Sequence, residues 1–146
     1  MKKDENPLDE SICISMDVMP RPQGRPRFRS SGSQIRIYQS HSDKRYKDLI
    51  ALSAASQMRV RGFEGPLEGP LSLSLTFWMG NRANGIGYPI GPPDIDNLAK
   101  AILDAFSGIV FRDDAQIIWL MCRKLWGPQG FMAVISRVDY QFQSGY

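Results

Sequence analysis

One histidine, two cysteines and no apolar run long enough to cross a bilayer leave this 146-residue chain short of several common chemical tools. His41 has no Cys or His partner at ligand spacing, so zinc binding and histidine-centred catalysis are poor readings. Cys13 and Cys122 both stand in strand-like apolar contexts and read as reduced core residues rather than a disulfide or a metal site. With 42% hydrophobic and 23% charged residues, the composition is that of a soluble globular protein. The opening MKKDENPLDE has a lysine pair but no apolar stretch behind it, which predicts a frayed tail over residues 1–10 rather than a secretory signal, and a cytoplasmic location. A mass of 16.5 kDa fits one domain, expected over residues 11–140 with a short tail at 141–146.

What the chain does have is unevenly spread charge. Its net charge is only +3, yet between Arg21 and Arg61 ten basic residues (Arg21, Arg25, Arg27, Arg29, Arg36, Lys44, Arg45, Lys47, Arg59, Arg61) face two acidic ones, Asp43 and Asp48. Conversely, five of the eleven aspartates lie between 94 and 114. The molecule should therefore carry a positive region and an acidic spot.

Ile12, Ile14, Met16 and Val18 alternate with polar residues, which predicts a half-buried strand. PRPQGRPRFRSSGSQ reads as a loop, followed by a short strand around Ile35 and Ile37. Ser42 is the expected N-cap of a helix to about Arg61, with Tyr46, Leu49, Ile50, Ala54 and Met58 inward. Leu71 to Met79 alternates cleanly as a third strand. A second helix fits residues 96–107, with Gly108 as its left-handed stop. Ile117–Trp126 and Phe131–Tyr140 are two more β-rich runs, read as a hairpin about GPQG. The expected fold is α+β, a single domain with a mixed β-sheet and helices in the order β-β-α-β-α-β-β. The Gly-rich loop GNRANGIGYPIGPP lacks the strand, turn and helix context of a nucleotide fingerprint.

Asp94 and Asp96 stand two apart after Pro92 and Pro93, with Asp113 and Asp114 at the start of a later strand, so three or four carboxylates are expected to converge. Two carboxylates 4 Å apart repel by about 4 kcal/mol at an effective dielectric of 20, so something positive must separate them. An all-oxygen set suits a hard divalent cation such as Mg²⁺, which can polarise a phosphodiester and activate water without histidine or cysteine. Lys100, one helical turn from Asp96, is placed to neutralise charge or contact a phosphate. Structural roles compete: Asp96 as an N-cap, Asp113 as a turn former, Asp104 as the partner of Lys100 at i+4. The basic residues have a solvated surface as their plain alternative.

The stretch PDIDNLAKAILDAFSGIVFRDDAQI resembles the signature of the RusA-type Holliday junction resolvases, common in phages and prophages, and GRPRF at 24–28 is similar to an N-terminal loop of many phage-type members. The resemblance implies a homodimeric, Mg²⁺-dependent endonuclease that nicks two strands symmetrically at a four-way DNA junction during recombination or repair, with Mn²⁺ as a substitute metal. It assigns Asp94, Asp96 and Asp114 to catalytic metal binding, Lys100 to catalysis, and a less defined metal role to Asp113. Arg21, Arg25, Arg27, Arg29, Arg36, Lys44, Arg45 and Lys47 would supply DNA-backbone contacts. Two departures stand out: a slightly shorter connection to Asp113, and GYPIGPP where the best-known branch carries a run of arginines. A non-cleaving junction-binding protein and a Mg²⁺-dependent nucleotide phosphohydrolase are the alternative functions.

Overall fold

The computed structural model describes residues 11–24, 27–38, 40–82 and 86–138. In chain order the elements are β1 (Ile12–Met16), β2 (Arg27–Ser31), β3 (Gln34–Tyr38), α1 (His41–Val60), β4 (Leu71–Gly80), α2 (Ile95–Phe106), a 3-10 turn (Asp114–Gln116), β5 (Ile117–Leu125) and β6 (Gly127–Arg137). This is the expected α+β domain with one strand more. β2 occupies part of the predicted loop and pairs with β3 as a separate antiparallel ribbon, Arg29 opposite Arg36. Its RFRSS sequence has no apolar alternation to betray a strand. Gly32, at φ 63°, supplies the left-handed residue of the turn.

The main sheet has the order β1-β6-β4-β5. β4 lies inside it, and Leu71, Leu73, Leu75 and Phe77 are buried as their alternation requires. They meet Ile12 and Ile14 of β1 and Phe131, Ala133 and Ile135 of β6, with Tyr46, Ile50, Ala54 and Met58 of α1 and Leu98, Ile102, Ala105 and Phe106 of α2 completing one core. The inward residues of α1 recur every four positions, which keeps them on one face. Leu49, expected inward, is instead exposed. Ser40, two residues earlier than expected, caps α1 by accepting from the Asp43 N–H at 3.2 Å.

The expected hairpin does not form. β5 pairs parallel with β4 on one side, while β6 pairs antiparallel with β4 on the other. Trp126 carries the chain past the end of β4, where a Cβ on Gly127 would lie 2.6 Å from Trp78 Cδ1, so a side chain there would collide. GPQG is no turn: it lies in β6 beside a register shift against β4, a place where Pro128, which has no N–H to give, is tolerated. Phe131, Ala133 and Ile135 need a central strand to be covered, and β5 is left at the edge.

Candidate active site

β4, α2 and β5 form a parallel crossover, and each end of it carries one pair of aspartates. At the start of α2, Asp94 is the N-cap and Asp96 lies in the first turn, so the helix begins between them. The Asp94 side chain makes no capping bond. Both carboxylates are exposed and sit where the helix dipole favours negative charge. Lys100 is exposed one turn further on. The loop leading to Asp94 is clamped from β5: Lys124 Nζ donates to the carbonyls of Gly91 and Pro93 at 2.8 and 2.9 Å. Lys124 carried no sequence signal, since a lysine near the end of a strand is ordinary.

The other pair is held by the chain around it. Asp113 caps the 3-10 turn, its carboxylate accepting from the Ala115 N–H at 2.8 Å. Gln116 Oε1 accepts from the N–H groups of Arg112 (2.8 Å) and Asp113 (3.0 Å), and its Nε2 donates to the carbonyls of Leu67 and Gly69, both at 3.0 Å. Arg112 also pairs with Glu68 at 2.5 Å. Asp113 is thus engaged in a structural bond. The Asp114 side chain makes no hydrogen bond or ion pair among the described residues and is exposed, while its backbone carbonyl accepts from the Ile117 N–H.

Within one chain these pairs do not converge. Lys124 places the Asp94 end at the C-terminal end of β5, while Asp113 and Asp114 immediately precede its N-terminal end. Nine residues of strand separate them, roughly 25–30 Å. The reason is topological: a helix crossing between parallel strands returns the chain to the opposite end of the sheet. Accordingly, among the described residues no group of three or more His, Cys, Asp or Glu side chains is placed to hold a metal ion. Asp104 does not pair with Lys100 either.

The basic residues are anchored at the Asp94 end. Gln23 N–H donates to the Asn97 carbonyl of α2 at 2.9 Å, and Arg21 N–H donates to the Tyr46 hydroxyl at 3.1 Å. Burial raises the Tyr46 pKa above its usual value, with Arg21 opposing. A Cβ on Gly24 would stand 2.0 Å from Asp43 Oδ2, so any side chain at the first residue of GRPRF would have to displace the Asp43 carboxylate of α1. From there the chain enters the ribbon that carries Arg27, Arg29 and Arg36; Arg25 lies outside the described residues. Arg21, Lys44, Arg45 and Lys47 are exposed. Arg21 also lies over the Tyr46 ring, 5.9 Å from its centroid.

Exposed aspartates on a crossover, in a chain that also carries an arginine-bearing ribbon, suit a nuclease, and the comparison with known proteins gives the family. The family model described as Endodeoxyribonuclease RusA matches residues 17–135. The chain belongs to this family of Holliday junction resolving endonucleases, whose members generally depend on a divalent metal. It is also 26% identical over 136 residues to "Uncharacterized protein YqaN" of Bacillus subtilis (strain 168), covering 86% of this chain and 96% of that one. No helix among the described residues is long and apolar enough to cross a membrane.

Proposed function

We propose that the chain acts as a homodimer that resolves four-way DNA junctions by paired, Mg²⁺-dependent nicks, with Asp94 and Asp96 of one protomer facing Asp114 of the other. The observation that carries this reading is the exposed edge between the two aspartate pairs. On β5 the consecutive residues Ile118, Trp119, Leu120 and Met121 are all exposed, and one side of the strand has no pairing partner among the described residues. An open apolar edge strand is a template for another strand, and two identical edges pair antiparallel about a twofold axis. Such a pairing sets the N-terminal end of one β5 beside the C-terminal end of the other, so each protomer's Asp114 approaches its partner's Asp94 and Asp96.

The donor set fits the metal, since every candidate ligand is a carboxylate oxygen and no softer donor intrudes. Asp94, Asp96 and Asp114 would hold it, with Asp113 remaining the cap of its turn. When bound, Mg²⁺ supplies Lewis acidity toward the phosphodiester and a water of lowered pKa. Lys100, one turn above Asp96, offers a positive charge to a phosphate oxygen. The ribbon and the exposed residues Arg21, Lys44, Arg45 and Lys47 hold the DNA backbone in a salt-dependent way.

Mixing two inactive variants tests this. Asp94→Asn and Asp114→Asn should each reduce junction cleavage by about a thousandfold, through loss of several kcal/mol of metal-borne stabilisation, with folding intact. Mixed after denaturation and refolding, they should regain Mg²⁺-dependent nicking, up to about a quarter of the wild-type sites, because half of the dimers would hold one site with neither substitution. A mixture as dead as its parents, with mixed dimers confirmed by co-purification through an affinity tag carried by one variant only, would overturn the shared site. A wild-type chain that binds the junction but leaves it intact in Mg²⁺ and Mn²⁺ would overturn the nuclease itself.

A further inference from the structure

The loop before Asp94 has an unusual surface. Ile86, Tyr88 and Ile90 are 80%, 72% and 96% exposed, and Ile90 is the most exposed large apolar side chain among the described residues. These groups are not on a slack segment. Arg82 donates to the Ile86 carbonyl, Pro89 is buried between the two outward residues, and Lys124 fixes the Gly91 and Pro93 carbonyls. The backbone is pinned on both sides of Tyr88 and Ile90 while their side chains stand in water, a pattern that marks a contact surface rather than a failed core.

We propose that Tyr88 and Ile90 form a wedge that stacks on and separates bases at the branch point of the DNA. The inference rests on the chain acting as a junction nuclease and names what this loop recognises. Residues 86–93, IGYPIGPP, carry no charge, so they offer a phosphate nothing. Base faces are the apolar part of DNA, and they become accessible where stacking is interrupted, as it is at a junction. Ile90 is four residues from Asp94, within about 13 Å even if fully extended, a span of about four base steps. A wedge at that distance holds the branch point beside the candidate cutting site. The segment that leads to the arginine ribbon is tied to the same end of α2 through Gln23, and those arginines supply the attraction that the loop lacks.

The experiment uses a four-way junction with 2-aminopurine at the branch point, kept intact by replacing Mg²⁺ with Ca²⁺. Binding of the full chain should raise the fluorescence several-fold as the probe unstacks. Ile90→Ser and the double variant Tyr88→Ser/Ile90→Ser should bind with affinity within about tenfold, keep the circular dichroism and apparent mass of the wild type, and lose most of the rise. An unchanged rise in the double variant, or binding by wild type with no rise, would overturn the wedge. A double variant that falls to half the apparent mass would also overturn it, by assigning the loop to the dimer contact. Absence of junction binding by the wild type would instead refute the nuclease reading on which the wedge rests.

Discussion

The two aspartate pairs differ most in what holds them. Asp113 and Asp114 sit in a turn closed by neighbours within four residues and pinned to the 67–69 segment by one glutamine. Asp94 and Asp96 depend on distant parts of the chain: Lys124 across the crossover, Gln23 from the loop beneath α1, and Tyr46 behind that loop. One pair is therefore set by local chain geometry, and the other moves with whatever moves its supports. A site assembled from both would have a fixed half and an adjustable half.

Removing Gln116 should disturb the fixed half most. Gln116→Leu strips partners from two N–H groups and two carbonyls, so it should destabilise the fold by about 2–3 kcal/mol, read as a lower urea midpoint at unchanged slope. Gln116→Glu keeps the accepting oxygen and loses the two donated bonds, so about half of that loss is expected. Equal midpoints for all three proteins would break the comparison, because the turn would then be holding itself.

Lys124 tests the adjustable half, with a smaller effect on stability and a larger one on the metal. Lys124→Met should lower stability by only about 1 kcal/mol but raise the Mg²⁺ needed for half-maximal cleavage about tenfold, the usual consequence of releasing a group that orients a ligand. Junction affinity should hold, and Lys124→Arg should restore part of the Mg²⁺ response. An unchanged Mg²⁺ requirement would reduce Lys124 to a structural tie.

This contrast explains what the sequence disclosed. The strands β1 and β4 were legible because one face of each is buried, and α2 because its apolar stripe is complete. β2 was not, since a two-stranded ribbon needs no apolar alternation, and the β5–β6 hairpin was misread because a bulge and a turn share the residues Gly and Pro. The aspartates were found through their spacing and the family signature. Their separation followed from strand direction, which depends on how β5 and β6 sort around β4 and leaves no local mark. Lys124 was missed for a similar reason: its partners are backbone carbonyls more than thirty residues away.

The mildest probe reaches the adjustable half through Tyr46. Its hydroxyl accepts from Arg21 N–H and so holds the root of the loop that Gln23 ties to α2. Tyr46→Phe should cost about 1 kcal/mol at pH 7, the worth of a single bond. Burial raises the Tyr46 pKa above 10, with Arg21 opposing it, so the folded chain favours the neutral hydroxyl. That preference is fully present below the unfolded value near 10 and is lost as pH rises through the folded value. The wild type should therefore lose stability above pH 10 faster than Tyr46→Phe, and their thermal midpoints should draw together. Parallel curves would mean that the ring alone, through packing and its contact with Arg21, supports the loop.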